Sequence, residues 1–169
     1  EDDNDLGIFE AGISKPGEMV NLEAILKPNI GIFTNIGSAH DKFFENREEK
    51  ASEKLKLFSN SQKIIFCEDY HLIKKALEKS KIKADAQISW SQKNSSADFY
   101  VQHKNIQKGN TLLKAIYKSN ELELEIPFTD SASLENAIHC WLCCLEMNFS
   151  HSWIQERFKF LQPVAMRLE

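Results

Sequence analysis

The sequence predicts an α/β domain: a mainly parallel sheet flanked by helices, with an antiparallel set of strands at one edge. Two observations carry this. Through the first half, short apolar β-prone runs alternate with helical stretches in the order β, α, β, α, the pattern of a parallel sheet whose crossovers are helices. After Lys83 the texture changes to short, partly alternating segments divided by Asn, Ser, Gly and Asp, as in antiparallel edge strands. With 169 residues and 42% hydrophobic content, one core and one domain over 1–169 are expected.

Leu6 to Glu10 is apolar and opens a Gly-rich turn, so a buried strand ending at Gly12 is expected. Pro16 to Leu26 follows as a helix, with proline near its first turn, where a missing N–H costs nothing, and Lys27-Pro28-Asn29 stops it. The run Ile30 to Ile36 is the next strand; Gly37-Ser38-Ala39-His40 turns the chain into a charged helix over about Asn46 to Phe58. Lys63 to Glu68 gives a third strand and Leu72 to Lys81 a third helix. Gln87 to Ser91, Asp98 to His103, Thr111 to Lys118 and Glu121 to Ile126 are the antiparallel candidates. Two helices close the chain, about Ser133 to Met147 and Ser150 to Leu161, before Pro163.

Composition excludes several function classes. The net charge is −4 and lysines are scattered among glutamates, so no basic stripe offers nucleic acid a footprint. No stretch approaches the roughly 20 apolar residues of a membrane span, and Glu1-Asp2-Asp3-Asn4-Asp5 is the opposite of a signal peptide's basic start, so a cytoplasmic location is expected. Three of the four cysteines, Cys140, Cys143 and Cys144, crowd one apolar helical stretch. They read as reduced core thiols rather than a metal or redox pair.

Chemistry is sought at the carboxyl ends of the strands, where ligands of open α/β sheets collect. Glu10 ends an otherwise apolar run, where a carboxylate is costly unless it meets a metal or a cation. His40 lies just past the next run, and its bland reading is a surface turn histidine. Lys50, Lys54 and Lys56 read by default as a solvated helix face, and their spacing singles none out.

Three blocks change the weighting. Glu10-Ala-Gly-Ile-Ser-Lys-Pro-Gly-Glu18, Thr34-Asn-Ile-Gly-Ser-Ala-His40 and Glu53-Lys54-Leu-Lys-Leu-Phe58 resemble, in order and spacing, the E-x-G-x-(N/S)-x-P-G-E, TNIG-x-AH and downstream lysine blocks of the Mur ligases. The match is to the D-alanyl-D-alanine-adding type. Leu134 to Trp141 and Pro163 to Glu169 are similar to the Bacteroidetes form fused to an alanine racemase.

The resemblance implies a P-loop NTPase-like central domain, with ATP and two Mg²⁺ ions as cofactors. It implies UDP-N-acetylmuramoyl-tripeptide and D-alanyl-D-alanine as substrates, further ligase domains in cis and a fused racemase as partners. Glu10 matches the family's magnesium-binding glutamate and His40 the histidine that helps hold the second ion. Lys54, fourteen positions after His40, falls where the family carries a lysine modified by carbon dioxide, an anionic oxygen ligand made from a neutral amine. Lys50, one turn earlier, is the competing candidate, and spacing favours Lys54. Asn136 aligns with the asparagine that approaches adenine, and Arg167 with the arginine that reaches the ATP phosphates.

The chain also departs from the pattern. Ala132 and Ser133 replace the His-Asn that opens the adenine element, and Asp41 to Glu45 keeps only the phenylalanine of the usual Leu-Glu-Gly-Phe-Gly. No G-x-x-x-x-G-K-[ST] phosphate cradle occurs, and the family places it upstream of the first strand here. The chain is therefore expected to be part of a central domain, inactive alone and binding ATP weakly. The alternatives are another Mur or folylpolyglutamate-synthase-like ligase, or a non-catalytic α/β docking module.

Overall fold

The computed structural model describes residues 5–38, 40–107 and 109–162. One six-stranded sheet runs through it, and its spatial order follows the chain: β1 (Ile30–Phe33), β2 (Lys63–Cys67), β3 (Gln87–Ser91), β4 (Phe99–Gln107), β5 (Asn110–Tyr117) and β6 (Asn120–Ile126). β1, β2, β3 and β4 are parallel neighbours; β4, β5 and β6 are antiparallel. The expected architecture is present, with one shift of its boundary. Gln87–Ser91 is parallel to both neighbours, so the antiparallel part begins at β4. Only Trp90↔Phe99 and Ser91↔Tyr100 join β3 to β4. The connection is too short for a helix and is held instead by Asp98, whose carboxylate accepts from the Ser89 N–H (2.8 Å) and hydroxyl (3.0 Å).

Five helices cover the sheet: α1 (Glu18–Leu26), α2 (Arg47–Leu55, extended by a 3₁₀ turn, Lys56–Phe58), α3 (His71–Lys79), α4 (Ser131–Glu146) and α5 (His151–Phe158). β2 shows why there are two cores. Ile65 and Cys67 point into the cluster under α4 and α5, while Ile64 and Phe66 point into the one under α1, α2 and α3, as the two-residue period of a strand requires. The result is three layers. Starts are set by caps: Asn46 accepts from the Glu49 N–H (2.8 Å), Asp130 from Ser133 (2.8 Å) and Ser150 from Trp153 (3.3 Å).

The first expected strand does not form. Leu6 to Glu10 has no regular structure and joins no sheet, with Ile8 88% and Phe9 68% exposed. An apolar run becomes a strand only where a ladder partner satisfies its backbone. The outer edge of β1 has no partner among the described residues. The second expected strand stops at Phe33, leaving Thr34 to Ser38 as loop. The cysteines also need correction. Cys67 is buried, but Cys140 is exposed and Cys143 and Cys144 are partly buried along the flank of α4. Burial pushes the Cys67 thiol up to about 12 and Cys143 up to about 11, which keeps both in the neutral thiol form.

Candidate active site

The loop leaving β1 runs over the buried face of α2. Lys54, half-buried in the last turn of that helix, places Nζ 3.3 Å from the carbonyl oxygen of Asn35 and 5.7 Å from the centre of the Phe33 ring. Desolvation, and then the neighbouring charge of Lys50, holds its amine below the usual lysine range. Lys54 thus sits at the carboxyl end of β1, in a partly dry place with its proton weakened. That is the environment a carbon dioxide adduct requires.

Lys50 behaves differently. Only 3% exposed, it donates from Nζ to the Gly37 carbonyl (2.7 Å) and pairs with Asp41 Oδ1 (2.7 Å). Asp41 is held below the usual carboxylate range by Lys50 and then Arg47. The two candidate lysines are therefore separated by environment: one is committed to an ion pair, while the other, among the described residues, meets only the Asn35 carbonyl and the face of Phe33.

His40 lies between those anchors, exposed, with backbone in the left-handed region (φ 63°) and ring stacked on Phe43 at 6.3 Å. Glu18 is held low first by the Ser14 and Lys15 N–H groups (2.7 and 3.0 Å), with a smaller electrostatic pull from His40. Glu10 is exposed and makes no hydrogen bond or ion pair with any described residue. Asn136 is exposed in the second turn of α4, next to Glu135, whose carboxylate accepts from Tyr70 (2.5 Å). Arg167 lies outside the described residues.

Lys54 and the His40 turn are thus brought together beside α2, and Glu10 stays apart. Magnesium prefers oxygen. Glu10 offers an uncommitted carboxylate and His40 an exposed ring, but no three His, Cys, Asp or Glu residues converge among the described ones. By donor chemistry alone, Glu10 and a carboxylated Lys54 would offer the oxygens magnesium prefers, although the described residues do not bring them together around one point. Sequence reasoning missed Glu53, 5% exposed, which accepts from the Gly17 N–H at 2.5 Å. The available signal was its position, beside Lys54 and three residues after Lys50, flanking the apolar stripe Ala51, Leu55, Phe58.

Comparisons with known proteins bear on the family and the fold. Residues 1–144 match the model of the Mur ligase middle domain. The UDP-N-acetylmuramoyl-tripeptide–D-alanyl-D-alanine ligase of Rickettsia prowazekii is 45% identical over 62 residues, 37% of this chain and 14% of that protein. In fold, the chain is similar to MurF from Acinetobacter baumannii, with TM-score 0.73 and 18% identity over 94% of this chain and 34% of that one. It is also similar to MurF from Thermotoga maritima solved in complex with ADP, with TM-score 0.69 and 18% identity over 89% of this chain and 34% of the other. The chain thus spans a small part of the Rickettsia relative and about a third of each solved one. A three-layer α/β fold shared with the solved relatives and a family match over residues 1–144 lead to one conclusion: the chain belongs to the Mur ligase family, as its middle domain.

Proposed function

We propose that the chain is part of an ATP-dependent ligase that joins D-alanyl-D-alanine to UDP-N-acetylmuramoyl-tripeptide. ATP would phosphorylate the terminal carboxylate of the tripeptide, and the amine of the dipeptide would attack the acyl phosphate and release phosphate. The observation that carries this reading is Lys54 beside the His40 loop, in a chain whose similar stretch includes a ligase of that specificity.

The side chains have separable tasks. Lys54, once deprotonated, attacks carbon dioxide through Nζ; an N–C bond forms, a proton leaves to solvent and a carbamate anion remains. Its depressed basicity makes the neutral amine accessible. Glu10, His40 and the carbamate of Lys54 would hold magnesium, which supplies neutralisation of phosphate charge when bound. Asn136, exposed on α4, is assigned to adenine, and Arg167 to the phosphates. The phosphate cradle and the remaining substrate contacts come from other parts of the ligase.

A panel of amine substrates offered to the intact ligase tests the specificity. D-alanyl-D-alanine should be preferred over D-alanine, L-alanine, diaminopimelate and glutamate; preference for any other member would overturn it.

A further inference from the structure

The buried face of α2 carries two opposite charges, Lys50 and Glu53, that belong to no ligand set above. Buried charges persist where they meet partners, and each of these reaches off the helix to a different loop. Lys50 holds the Gly37 carbonyl and the Asp41 carboxylate, which bracket His40 from both sides. Glu53 holds the Gly17 N–H, in the turn that ends the Glu10–Glu18 block, and pairs with Lys56 at 2.5 Å. Both loops are bent where they are held: His40 has φ 63° and Gly17 φ 90°. A residue such as His40 keeps a left-handed backbone only when its surroundings impose it.

We propose that Lys50 and Glu53 are positioning residues, a cation and an anion one helical turn apart that fix the histidine turn and the glutamate block on either side of Lys54. α2 then acts as a rigid rail on which both loops are registered, so the placement of the His40 turn and of the Gly17 end of the glutamate block relative to Lys54 is set by a helix and not by the loops themselves. The inference rests on reading Glu10, His40 and Lys54 as a metal-binding set; the two grips themselves are geometry.

The test uses the intact ligase in two measurements. Hydrogen exchange on the metal-free protein should show Lys50→Met and Asp41→Asn raising exchange over 37–44 while 13–18 is unchanged. Glu53→Leu should do the reverse, and Lys50→Arg should keep most of the protection. Because the Asp41 side chain is 35% exposed, Asp41→Asn probes the grip without opening the core. Mn²⁺ titration with ADP, followed by electron paramagnetic resonance, should show affinity falling about tenfold or more in Lys50→Met and Glu53→Leu. The KM for D-alanyl-D-alanine should not move. Exchange that rises evenly across the sheet, or in neither loop, overturns the proposal. Manganese affinity unchanged by Glu10→Gln would instead sink the metal reading, whatever the exchange pattern.

Discussion

At the scale of single residues, Lys54 is the most specific claim. Lys54→Ala should lower kcat of the intact ligase by on the order of 10², the loss typical of removing one preorganised group that stabilises developing charge. Native mass spectrometry at neutral pH should find a labile carbon dioxide adduct on the parent and none on the variant. The sequence could nominate Lys54 only by its distance from His40; the structure supplies the physical difference, since Lys50 is tied to Asp41 and Lys54 is not. His139 was not legible at all. It is 1% exposed, its Nδ1–H donates to the Glu135 carbonyl (2.9 Å), and it packs edge-on against Trp90 at 5.2 Å. Burial pulls its pKa below the ordinary 6.5. A depressed histidine pKa means the unfolded chain binds the proton first. Stability from this residue is therefore full above about pH 6.5 and is lost as pH falls toward the folded value. Chemical denaturation of His139→Phe between pH 5 and 7.5 should show a flatter acid limb than the parent.

Among elements, those with a clear period were legible. α2, α3 and β2 lie where their patterns put them, because each buries a defined stripe or pair of faces. Leu6 to Glu10 failed because local pattern reports burial preference and cannot report whether a ladder partner exists. The parallel pairing of β3 was hidden for a related reason: it depends on Asp98 bridging a short connection, a contact no periodicity encodes. Two positions yield opposite predictions. Lys118 and Ser119 join β5 to β6 with φ of 48° and 64°, the twin positive values of a two-residue hairpin turn, yet neither is glycine. Ser119→Gly should raise unfolding stability by about 1 kcal/mol. Gly31 is the converse, since a Cβ there would lie 2.3 Å from the Phe58 ring. Gly31→Ala should cost roughly 1–3 kcal/mol by overpacking. Urea denaturation of the two variants checks both signs.

At the scale of the whole molecule, the parts are tied together away from the candidate site as well as at it. Glu146 at the end of α4 accepts from Lys63 at the start of β2 (2.6 Å) and from Tyr117 at the end of β5. Burial raises the Glu146 pKa, but the bonds from Lys63 and Tyr117 outweigh it and keep the carboxyl below its usual range. Lys63→Met should cost about 1–3 kcal/mol by removing the nearer of that carboxylate's two cations and leaving Lys118 at 3.4 Å, read as a lowered thermal midpoint. The overall class and most of the layer order were legible, because alternation of strand and helix is a property of the whole sequence. The two buried charges of α2 were not, since a helix drawn from sequence alone shows lysines and glutamates as solvated. The order of the strands carries a consequence for how the molecule comes into being. Among the described residues, each strand after β1 pairs with the one before it in the chain, so these strands can join the sheet in the order in which they are synthesised.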